Sequence, residues 1–93
     1  MLTTAQKNTI KKVVSKFNPK LVGIFGSYAR NEQQRESDLD ILVDFNDSVN
    51  LVELIGLEQE LTELLGIKVD LVTLKSVNPS LNDYIQQDLI RIV

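Results

Sequence analysis

The chain has 93 residues, 43% hydrophobic and 25% charged, with a net charge of −3; this fits one small globular domain, residues 1–93, and argues against general nucleic-acid binding. It contains neither cysteine nor histidine, which excludes disulfides and the usual thiolate or imidazole zinc sites and leaves oxygen-held hard cations as the possible metals. Its apolar runs reach only about five residues and the N-terminus lacks a signal-peptide core, so no membrane span and a cytoplasmic setting are expected.

Lys7, Lys11, Lys12, Lys16 and Lys20 gather at the start of the chain and read as a solvated helix face. On the opposite face, Ile10, Val13, Val14 and Phe17 follow helical spacing, with Thr3 or Thr4 as cap and Asn18-Pro19 as the stop. Residues 21–25, LVGIF, predict a short buried strand. Residues 27–34 predict a short helix with Ser27 at its N-cap. A second strand is expected over 39–45, LDILVDF, followed by a turn at Asn46, Asp47 and Ser48. Asn50 and Glu53 match a capping box before a longer helix, whose Leu51, Leu54, Ile55, Leu61, Leu64 and Leu65 are assigned to its apolar face. Gly66 stops that helix, and 67–73, IKVDLVT, read as a third strand. Asn78-Pro79 opens a last helix with Leu81, Tyr84 and Ile85 facing inward, and the terminal IRIV is either its fraying tail or an edge strand. The order α-β-α-β-α-β-α is that of an α/β layer fold.

The stretch GSYARNEQQRESDLDILVDF, residues 26–45, departs from this ordinary pattern. Alternate residues of a strand share a face, about 6.6 Å apart, so Asp38 and Asp40 point together while Leu39, Ile41 and Val43 take the other side. Two such carboxylates repel unless a cation lies between them. Asp70 similarly interrupts the third strand. The helical connection between the second and third strands predicts that they run parallel, which sets Asp70 beside Asp40. An antiparallel first strand then delivers Gly26 and Ser27 to the same edge. Oxygen ligands of like charge suit Mg²⁺ with substrate phosphates, and a pair of such ions supports in-line displacement at phosphorus. Gly26 lets backbone approach a phosphate, Ser27 and the following N–H groups bind its oxygens, and Asp70 is placed to accept a proton. Arg30 and Arg35 are lesser candidates for phosphate or substrate contact, with Glu32 and Glu36 as competing partners for Arg30. Tyr28 reads as packing or a base-stacking ring, Tyr84 as core, and Asp44 as a solvated strand end.

Gly26-Ser27, Ala29-Arg30, Ser37-Asp38-Leu39-Asp40 and the later Asp70 together resemble the minimal nucleotidyltransferases of the DNA polymerase β superfamily. The resemblance covers nearly the whole chain. It implies a nucleotidyltransferase fold, a mixed β-sheet of three to four strands flanked by helices. It implies two Mg²⁺ ions, with Asp38 and Asp40 as ligands of both and Asp70 completing one site. Gly26, Ser27, Arg30 and Ser37 are the implied nucleotide-binding residues, with ATP as the substrate. The implied partner is a HEPN-domain ribonuclease toxin, silenced by AMP transfer to a tyrosine hydroxyl. Alternatives are an antitoxin acting by contact alone and a nucleotidyltransferase acting on small molecules. The family's glycine after Ala-Arg is Asn31 here, a residue that also tolerates left-handed backbone. Leu42 and Val72, on the carboxylate face, are expected to form an open apolar strip where a partner docks.

Overall fold

The structure, a computed structural model, describes residues 2–93. Helix α1 spans Thr4–Val14, and its start is closed by a capping box between Thr3 and Gln6. A 3-10 turn at Ser15–Phe17 leads to Asn18, whose left-handed φ of 54° redirects the chain into β1, Pro19–Phe25. Proline is tolerated there because it opens the strand. Strand β2 is Leu39–Phe45, helix α2 Leu51–Leu65, β3 Val69–Thr73, helix α3 Pro79–Asp88 and β4 Ile90–Arg91. The Asn50–Glu53 capping box, the left-handed Gly66 and the Asn78-Pro79 start all lie where local sequence chemistry sets them. No helix among the described residues is long and apolar enough to cross a membrane.

The four strands form one mixed sheet in the order β3-β2-β1-β4. β1 pairs antiparallel with β2, and β2 pairs parallel with β3 across the α2 connection, as the crossover length requires. The terminal segment resolves to an edge strand, antiparallel to β1. Alternation in β2 sends Leu39, Ile41, Val43 and Phe45 to one face, where all are buried. That face meets Ile10, Val13 and Val14 of α1 and Leu57 and Leu61 of α2, which together form the main core. Phe17 sits edge-on to Phe45 with ring centroids 5.9 Å apart.

Four expectations are corrected. Residues 27–34 form no helix. The N–H groups of Ala29 and Arg30 close onto the Gly26 carbonyl, and Asn31 ends the turn at φ 58°, so propagation stops before a full helical segment. The carboxylate face is not open: Leu42 is fully buried. Helix α3 packs on β1 and buries Ile85 on this side, so Leu42 offers no docking strip. Tyr84 is not core but 68% exposed, and Leu81 is 49% exposed, because α3 seats only Ile85 against the sheet. On α2, Leu51, Ile55 and Leu64 are likewise exposed, since the helix buries a narrow stripe through Leu57 and Leu61.

Candidate active site

The parallel register of β2 and β3 sets Asp40 directly beside Asp70, and the antiparallel register of β1 sets Phe25 on the other side of Asp40. Gly26 therefore follows at the end of β1, next to the strand that carries the acids. Asp38 lies just before β2, two residues from Asp40. Asp40 is half-buried and Asp70 exposed, so neither is turned into the core.

Asp40 is electrostatically the most stressed group here. Burial raises its carboxyl above the ordinary 3.8, and the neighbouring charges of Asp70 and then Asp38 add to this, pushing it up to about 6. Arg30 pulls the other way, but only weakly. Its guanidinium is engaged elsewhere, with Nη1 donating to Asp88 Oδ2 at 2.7 Å and Nε to Glu32 Oε2 at 3.2 Å. Those two acids raise the Arg30 pKa further, Asp88 most. Lys68 approaches the outer side of Asp38, Nζ to Oδ2 3.9 Å. Among the described residues, no three acidic side chains are gathered tightly enough to hold an ion as they stand. The donor set nonetheless fits a hard divalent cation: Asp40 stands in register with Asp70 and feels the charge of Asp38 as well, and this half-buried carboxyl resists ionising without added positive charge.

Gly26 has a left-handed φ of 75°, and a Cβ built there would strike the Asp40 carboxylate. Its glycine character thus follows from the acid as well as from the turn. The turn's own hydrogen bonds leave the N–H groups of Ser27 and Tyr28 outside them, while Glu32 N–H returns to the Ser27 carbonyl at 2.8 Å. Gly26, Ser27, Arg30 and Asp40 line one wall of a cleft of about 340 Å³, and α3 supplies Leu81, Tyr84 and Asp88 opposite.

The remaining candidates lie outside this cleft. The Ser37 hydroxyl accepts from Gln34 N–H at 2.8 Å and holds the turn that leads into Asp38. Arg35 is exposed in the same loop. Asp44 is less solvated than expected: its side chain is 15% exposed, lies 3.7 Å from Lys20 Nζ, and borders a separate depression with Asp47 and Thr73. Tyr28 is partly buried against the core, the packing role. Asp88 escaped sequence reasoning, since a lone acid at the end of a helix carries no signal until the fold sets it beside Arg30.

A mixed sheet with an acid pair on adjacent parallel strands and a glycine-serine turn beside it defines a class. Residues 7–92 match the nucleotidyltransferase domain family, and the chain belongs to that family. A Methanocaldococcus jannaschii relative is 50% identical over 84 residues, 88% of this chain and 86% of its own. Protein adenylyltransferase MntA of Thermococcus cleftensis is 36% identical over 89 residues, 96% of this chain and 87% of its own. Among solved structures, a toxin–antitoxin crystal structure with AMP-PNP contains a chain that superposes with a TM-score of 0.85 at 30% identity, covering 94% of this chain and 72% of that one. The complex of tri-AMPylated Shewanella oneidensis HEPN toxin with MNT antitoxin gives a TM-score of 0.80 at 26% identity, covering 99% and 72%.

Proposed function

We propose that this chain transfers AMP from ATP to a tyrosine hydroxyl of a HEPN-domain toxin and so acts as its cytoplasmic antitoxin. The observation that carries the reading is the Asp40–Asp70 register pair, with Asp38 two residues away and Gly26 against the Asp40 carboxylate. Relatives named for protein adenylyl transfer and a neighbouring structure of an AMPylated toxin complex support the choice of acceptor.

Asp38 and Asp40 would hold both of two Mg²⁺ ions, and Asp70 would complete one site. Bound there, the ions would neutralise the triphosphate and ease ionisation of the attacking hydroxyl. Gly26, Ser27 and the turn N–H groups bind phosphate oxygens, and Arg30, once released from Asp88 and Glu32, adds a cationic donor from the cleft wall. The acceptor oxygen forms a bond to the α-phosphorus, the bond to pyrophosphate breaks, and the exposed Asp70 takes the hydroxyl proton. The net negative charge fits a protein acceptor and no nucleic-acid substrate.

The test is incorporation of label from α-labelled ATP into the cognate toxin with Mg²⁺ present. Asp38→Asn with Asp40→Asn should abolish it. Undiminished label in that double variant refutes the site. Toxin neutralised equally well by the unlabelling variant would favour antitoxin action by contact alone.

A further inference from the structure

Leu81, Tyr84, Ile85 and Asp88 fall at i, i+3, i+4 and i+7 of α3, one face of one helix. They divide into two kinds. Ile85 is buried against the sheet and Asp88 holds Arg30. Leu81 and Tyr84 remain 49% and 68% exposed, yet both line the cleft that contains Gly26, Ser27 and Asp40. A large aromatic and a leucine left in solvent beside a polar, acid-bearing wall are not accounted for by core packing.

We propose that Tyr84 and Leu81 form the platform on which the nucleotide's base stacks. This rests on Gly26 and Ser27 being the phosphate cradle. A nucleoside triphosphate held by its phosphates at that turn, with its α-phosphorus near Asp40, carries its base one ribose away, within the same cleft. The wall facing the turn is α3, which presents Leu81 and the ring of Tyr84 there, with Asp88 turned to Arg30. Aromatic rings stack on any base, because every base presents a π-face. The cleft volume of about 340 Å³ lies at the small end of small-molecule sites. Continuity with the phosphate turn favours a nucleotide over a protein surface as the occupant.

The test is calorimetric titration of the purified chain with two Mg²⁺-loaded ligands, AMP-PNP and inorganic tripolyphosphate, which lacks a base. Tyr84→Ala should weaken AMP-PNP by roughly 5- to 150-fold and leave tripolyphosphate unchanged. Tyr84→Phe should keep the affinity for both. Unchanged AMP-PNP binding by Tyr84→Ala, or an equal loss of both ligands, overturns the platform alone. Failure of the unaltered chain to bind either ligand overturns the phosphate cradle as well. The exposure of Tyr84 keeps the substitution clear of the core, and an unchanged Tm verifies this.

Discussion

The carboxylate of Asp40 occupies the space where a side chain at position 26 would begin, so Gly26 and Asp40 are coupled through one volume. Gly26→Ala therefore meets two penalties, a left-handed φ of 75° and the displaced acid. A loss of about 1–3 kcal/mol in urea unfolding is expected, together with weakened Mg²⁺–nucleotide binding. Gly56 is the control: it lies within α2 with nothing near its Cβ position, so Gly56→Ala should stabilise by about 0.5–1 kcal/mol.

Asp40 makes stability depend on pH in a defined direction. Its folded pKa, about 6, lies above the ordinary 3.8, so the folded state holds this proton more tightly than the unfolded chain. The associated stability is complete below pH 3.8 and disappears as pH rises through 6. In EDTA, the Tm of Asp40→Asn relative to the unaltered protein should therefore climb between those values and then level off. A flat difference across that window refutes the assignment.

Divalent cation should reverse that penalty. Mg²⁺ with AMP-PNP at 100 times its dissociation constant should stabilise the chain by about 2.7 kcal/mol at pH 8, read as a thermal shift. Arg30→Ala should reduce the shift, and Asp38→Asn with Asp40→Asn should erase it.

Helix α2 also supports β3 directly. Val69 N–H donates to Thr62 Oγ1 at 3.0 Å and Leu71 N–H to Glu58 Oε2 at 2.8 Å. Thr62→Val removes one acceptor and leaves an amide without a partner, at an expected loss of about 1–3 kcal/mol. Amide exchange at Val69 should quicken more than at Ile41.

The elements that set the acids were legible because their signals are local. Alternation in LDILVDF, the Asn50–Glu53 box and the Asn78-Pro79 start each act within a few residues, and the crossover length fixed the parallel pairing. Asn31, read as a tolerant substitute for glycine, does adopt positive φ. What failed depended on which distant surfaces meet. Leu42 reads as open, yet it is fully buried once α3 packs on the neighbouring β1. Tyr84 and Leu81 carry the spacing of buried residues, yet α3 touches the sheet through one turn only. The Arg30–Asp88 pair joins positions 58 residues apart, beyond any periodicity.

The two amides of β3 that bond to α2 have a consequence for self-association. An outer strand whose Val69 and Leu71 N–H groups already bond to its own helix offers few donors to a further strand from a second molecule. The opposite rim, β4, is only two residues long. Both rims are thus poor templates, and at high concentration this chain should form rim-to-rim fibrils less readily than a Thr62→Val, Glu58→Ala variant that frees those two amides.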